Sequence, residues 1–275
     1  MKISARLSER IAKTLIWTAA VFVLAVLLFI VIYILVRGIP VLDWSFLTEM
    51  PRSMGREGGI ASTVVGTLLV TTVAVLIAAP FGIGTAFYLA EYTKEGKITK
   101  IIRFSAESLA GIPSIVYGLF GFIFFVIYLD LGWSVLSGGL TLAFMILPTI
   151  IRTSEEAILA VPKIYREVSF SLSATKTQTI FKVVLPSALR GIANGLILGI
   201  GRCIAETAAV MLTAGSALKM ASSLFDSTRT MAVHFYILAV EGISMENAYG
   251  TAALLIILIF LINVVFNALV NKFVR

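Results

Sequence analysis

The sequence predicts an all-α integral membrane protein with six transmembrane helices, on three observations. Of its 275 residues 59% are hydrophobic and only 13% are charged, about half the charged share of a soluble domain; mean hydropathy is +1.01. Six stretches are almost free of charge, each near the roughly 20 apolar residues that one helical crossing needs. The basic residues fall mostly in alternate connections between those stretches, which marks loops kept in the cytosol. The net charge of +7 therefore calls for no nucleic-acid partner. One Cys and one His exclude a disulfide framework and a Cys/His metal cage, so no metal or cofactor is expected.

The first span covers residues 14–36, uncharged between Lys13 and Arg37. Its front, "MKISARLSERIAK", is basic like a signal peptide, but the apolar run is too long and no small-residue cleavage site follows, which predicts an uncleaved anchor. With the mixed-charge connection 37–59 it makes an N-terminal unit, residues 1–60: a cytosolic tail, one span and an external segment. Residues 61–275 form the core. Within it the second uncharged stretch, 58–90, becomes helical at about Ile60. The third, 108–129, is interrupted by "GIPSIVYG", where Gly and Pro imply a kink or an opened turn covered by protein. The fourth spans 138–160, the fifth 192–218 and the sixth 247–271. Pro80 and Pro113 are expected to bend spans; Trp17, Trp44 and Trp133 fall near span ends, where aromatic anchors are common.

Six spans put both termini on one side. With the N-terminus inside, fifteen basic residues lie inside and five outside, and Arg152 and Arg202 fall within spans. Both termini are thus predicted to be cytosolic. The external segment 219–246 contains "STRTMAVHFYILAVEG", whose apolar part is too short to cross twice. His234 within it is expected to pack or hydrogen-bond rather than ligate.

The cytosolic segment "VPKIYREVSFSLSATKTQTIFKVVLPSALRGI" is basic and amphipathic, with two short helical patterns split by "LSATK". Ile180, Val183 and Val184 give the second a narrow apolar face, and Pro186 is expected to end it. Such a segment suits a solvated loop on the headgroups or a helical knob offered to a cytosolic partner.

This segment resembles the EAA loop of ATP-binding-cassette (ABC) importer permeases, which reads Glu-Ala-Ala, a Gly four residues on, then Leu-Pro. Here Glu167-Val168-Ser169 stands at Glu-Ala-Ala, Ser173 at the Gly, followed by Ala174, and Leu185-Pro186 at the end. Ser173 replaces the residue that makes a sharp bend cheap. The stretches "ESLAGIPSIVYGLFG", "SGGLTLAFMILPTIIRTSEEAILAVP" and "GRCIAETAAVMLTAG" are similar to the permeases of phosphate-specific uptake systems, the second most like the PstA-type subunit. Ala205 stands where that family has Gly. The resemblance implies a type I ABC importer permease fold with cytosolic coupling helices in loop 161–190. It also implies a place in a bacterial or archaeal inner membrane. The implied partners are a related permease subunit in a heterodimer, a dimer of cytosolic ATP-binding subunits, an external phosphate-binding protein, and phosphate itself.

Charges inside spans point to the site. A charged side chain at mid-bilayer costs at least ~2.5–3.5 kcal/mol, so it normally faces a cavity or a partner. In "GRCIAETAAV" Arg202 and Glu206 stand at i, i+4 and on one helix would share a face; a buried ion pair joining helices is one reading. Depth favours another. Arg202 lies roughly 17 Å along the fifth span from Gly191, and Arg152 roughly 12 Å from the end of the fourth, at 1.5 Å per residue, within about a turn of each other in depth. Two guanidiniums on one cavity suit a doubly charged tetrahedral oxyanion, with Glu206, Glu155 and Glu156 holding them when no anion is bound. The resemblance carries a transport role to Arg202 and to Arg152.

No G-x-x-x-x-G-K-[ST] phosphate loop occurs, so the chain is not expected to be the ATPase; that enzyme would dock on the loop. Two alternatives stand beside this reading. One is an importer of the same build for sulfate or molybdate. The other is a stand-alone anion channel or carrier, against which weigh the docking-type loop and the lack of an inverted repeat.

Overall fold

Uncharged runs fold as the longest helices, because a segment with no water to bond must satisfy its own backbone. The computed structural model describes residues 5–94 and 96–273. In order these form α1 (Ala5–Gly38), α2 (Trp44–Thr48), a hairpin of β1 (Pro51–Arg52) and β2 (Glu57–Gly58), α3 (Ala61–Phe87), α4 (Lys97–Ala110), α5 (Ser114–Gly121), α6 (Val135–Leu159), α7 (Lys163–Ser171), α8 (Lys176–Thr179), α9 (Leu185–Ala205), α10 (Ala208–Thr213), α11 (Met231–Val240) and α12 (Met245–Phe273). π-helical turns extend α3 to Tyr92 and α5 to Tyr128, and join α8 to α9. Among the described residues five segments are long and apolar enough to cross a membrane, and the bent pair α4–α5 passes the same test when its two halves are taken together.

The centre of the bundle is α6, packed between α3 and α9, and small residues permit the close approach. On α9 Gly191, Gly195 and Gly199 recur every four residues and face α6. A Cβ at Gly191 would lie 2.5 Å from the Cβ of Ala157, and one at Gly195 would overlap the hydroxyl of Thr153. Nearer the start of α6, Gly138 and Gly139 admit Val70 and Val73 of α3. Membrane helices gain little from apolar burial alone, so this intimate fit supplies the packing. Val70, Leu142, Met145, Ile146 and Ile150 fill the core. Helix α1 stands apart with its apolar stretch unburied, touching α12 through Gly38 beside Tyr249 and Ala253. That arrangement fits an anchor solvated by lipid.

Two expectations need correction. The fifth span does not run unbroken over 192–218. A continuous helix covers Lys176–Ala205, stops at Glu206, whose backbone is extended (φ −75°, ψ 130°), and resumes as α10. Pro186 does not end the second helical pattern of the loop: it sits at the start of α9, directly after the π-helical turn Ile180–Val184. The wider turn needs no i→i−4 bond from the proline, so the usual helix-breaking cost is absent. Consequently Leu185 and Pro186 belong to the spanning helix rather than to a loop.

Of the kink and the opened turn expected in the third span, the structure has the sharper break. Helices α4 and α5 meet at 98°, with Gly111 capping the first and Pro113 opening the second. Tyr117 bridges the break by donating its hydroxyl to the carbonyl of Leu109, 2.9 Å. The sixth span agrees closely with α12. His234 is fully buried on α11, with Nδ1 3.4 Å from Nη1 of Arg229, the packing role expected of it.

Candidate functional site

The charged residues singled out from the sequence divide into two groups. Arg202 lies half-buried in the last turn of α9, and among the described residues it makes no ion pair. The expected partnership with Glu206 does not form, because the helix ends between them. Glu206 instead accepts a hydrogen bond from the amide of Ala209, 3.3 Å, and so caps the start of α10. Each charge is matched to a helix end: the cation to the carbonyl-rich end of α9 and the anion to the amide-rich start of α10. The break leaves an unclaimed guanidinium inside the bundle. Gly118 of α5 packs on Ala208 and Ala209 at the start of α10, which sets the α9–α10 break against α5.

Arg152, Glu155 and Glu156 do come together, near the α7 end of α6. Two residues that sequence reasoning missed, Arg103 and Glu107 of α4, complete the group. Glu155, nearly buried, accepts from Arg103 at 2.9 Å (Nε) and 2.7 Å (Nη2). Arg152 donates to Glu156 at 3.0 Å and lies 4.0 Å from Glu107. These five side chains line a pocket of about 190 Å³. Glu155 therefore holds Arg103, not Arg152.

The two groups are not level with one another. Gly195 packs on Thr153, so Arg152 is level with Gly195. Arg202 lies seven residues further along α9, about 10 Å at 1.5 Å per residue. The expectation that the two arginines lie within about a turn of each other in depth is corrected to a separation of about two turns.

The predicted coupling loop forms a compact knob. Glu167 is exposed on α7, alongside the apolar side chains of Ile164, Tyr165, Val168 and Phe170. After α7 the chain turns at Ser173, which adopts φ +60°. The amide of Ser173 bonds to Phe170 O at 2.9 Å, and that of Ala174 to Ser169 O at 3.2 Å. This is a Schellman cap, whose left-handed position is usually glycine; serine makes the same bend. Buried hydroxyls of Ser169 and Thr179, 2.8 Å apart, clasp α7 to α8.

A buried ion pair fixes the knob to the bundle. Arg166 of α7 meets Glu91, at the end of the α3 span, at 2.7 Å, and also donates to the carbonyls of Val161 and Ile158 at 2.8 and 2.9 Å. No spacing rule links residues 75 positions apart, so this pair was invisible in the sequence.

Residues 78–275 match the family described as binding-protein-dependent transport system inner membrane component. The chain belongs to that family. The permease is 30% identical to the probable ABC transporter permease protein YqgI of Bacillus subtilis, over 94% of its own length and 93% of that protein. It is 32% identical to the phosphate transport system permease protein PstA of Pasteurella multocida, over 94% and 93%. Its fold matches that of a chain of the inward-facing MetNI methionine ABC transporter, with a TM-score of 0.66 at 20% identity, covering 78% of the permease and 96% of that chain. The expected type I ABC importer permease fold is the one the chain has, in a multi-pass membrane subunit.

Proposed function

We propose that this permease is the PstA-type subunit of an ATP-driven phosphate importer and forms half of the pathway with a related permease. The observation that carries the reading is Arg202, a guanidinium unpaired among the described residues, at a helix break within the fifth crossing. An intramembrane charge without a protein partner implies a charged visitor, and arginine offers forked donors that remain protonated. The PstA relatives support phosphate as the anion.

In this reading the α7 end is cytosolic, as are both termini, and the opposite end meets an external phosphate-binding protein. Helix α7, with Glu167, Ser173 and Ala174 around its exposed apolar face, docks two cytosolic ATP-binding subunits. The Arg166–Glu91 pair then passes movement of α7 directly to the α3 span. Rigid-body rocking of the spans follows in step with ATP binding and hydrolysis.

The test is phosphate uptake by membrane vesicles that hold the assembled complex. Arg202→Gln is expected to abolish uptake while insertion and assembly persist. Wild-type uptake by that variant ends the assignment. Accumulation of sulfate but not phosphate by the unaltered complex replaces the anion and leaves the rest.

A further inference from the structure

The two charged groups differ in electrical balance. At Arg202 the guanidinium has no carboxylate partner among the described residues. Some 10 Å nearer the α7 end, two guanidiniums face three carboxylates across one pocket. An anion held at Arg202 meets unclaimed donors. To occupy Arg103 and Arg152 it must displace Glu155 from the first, and Glu156 with Glu107 from the second. Carboxylate and phosphate oxygens use the same donors in the same forked geometry. The carboxylates are tethered in place, so they compete at a high effective concentration.

From this we infer that Arg103, Glu107, Arg152, Glu155 and Glu156 form an anion-release station at the cytosolic end of the pathway, where tethered carboxylates expel phosphate from two arginines and bar its return. The inference rests on the reading of Arg202 as the capture point for phosphate.

The members divide the work. Glu155, with 9% of its side chain exposed, fixes Arg103 and so sets α4 against α6. Glu107 and Glu156 are 60% and 65% exposed and are the free competitors. Helix α4 links capture to release. One end is tied across the break by the Tyr117 hydroxyl on the Leu109 carbonyl, next to Gly118, which packs on Ala208 and Ala209 of α10; the body carries Arg103 and Glu107 to the station. Helices α4 and α5, meeting at 98°, thus span the distance between the station and the start of α10.

The experiment uses the complete complex in proteoliposomes, with inorganic phosphate placed on the ATPase side as the probe. The readout is the concentration of that phosphate which halves ATP-driven uptake. Glu107→Gln combined with Glu156→Gln removes only exposed carboxylates, and is expected to lower that concentration about tenfold, the combined effect of two exposed pairings. Adding Arg152→Gln is expected to reverse the fall. An unchanged concentration in the double variant overturns the inference, as does a fall that persists without Arg152. If the double variant no longer transports, retention of labelled phosphate by the purified complex decides: retention above wild type supports release by the carboxylates, and wild-type retention refutes it. A wild-type complex that accumulates no phosphate overturns the parent reading as well, and that failure is seen in the wild-type arm alone.

Discussion

Replacing Arg166 with methionine removes a guanidinium that holds one carboxylate and two backbone carbonyls at once. Both partners of the ion pair are largely buried, Arg166 with 17% and Glu91 with 10% of the side chain exposed. Solvent screening therefore does little to soften the loss. Removing one member of a buried pair typically costs about 3–5 kcal/mol, because the other charge is left uncompensated. At 1.4 kcal/mol per factor of ten, that shifts the local equilibrium by roughly two to three and a half orders of magnitude. Detachment of α7 from the α3 span should follow before global unfolding, since the Ser169–Thr179 clasp still ties α7 to α8. The assay measures heat resistance of the purified complex and, in proteoliposomes, phosphate imported per ATP hydrolysed. Arg166→Met is expected to lower both. Adding Glu91→Leu removes the orphaned charge and is expected to restore heat resistance without restoring coupling, because the link itself is still missing. An Arg166→Met complex with wild-type heat resistance and wild-type coupling refutes the reasoning.

Two further perturbations test the packing. Ser173→Gly relieves a left-handed serine in the cap of α7, and the net gain after the added freedom of the unfolded chain is about 0.5–1 kcal/mol. Heat resistance of the complex should rise slightly with uptake unchanged, and a loss of stability would show that the serine side chain contributes something the bend does not explain. Gly195→Leu drives a side chain into Thr153, where even a Cβ overlaps the hydroxyl. The α6–α9 seam should separate and the complex should fail to assemble, read as loss of co-purifying subunits from detergent extracts.

What could be recognised beforehand follows the range of each signal. Spans are local: a run without charge announces itself, so α1, α3, α6 and α12 were legible from hydropathy. The Gly-Pro pair in "GIPSIVYG" signalled a break, but its angle depends on what α4 packs against. Arg202 was recognisable because its apolar neighbours make it conspicuous. Its isolation from Glu206 was not, since i, i+4 spacing implies a pair only if the helix continues. Arg103 and Glu107 were passed over because they lie in a basic, amphipathic stretch where charges are ordinary. Only the pairing with residues some fifty positions later sets them apart.

Composition, the charge-free runs and the distribution of basic residues were enough to determine a multi-span helical membrane protein with a basic, amphipathic loop, because bilayer insertion is governed by local transfer energies that each segment carries with it. The tertiary structure decided which charges meet. It placed Arg202 alone at a helix break, assembled five side chains from α4 and α6 at the other depth, and locked Arg166 onto Glu91. Those outcomes depend on helix register and on where a helix stops, and both are set by glycine seams and caps acting between segments far apart in the chain.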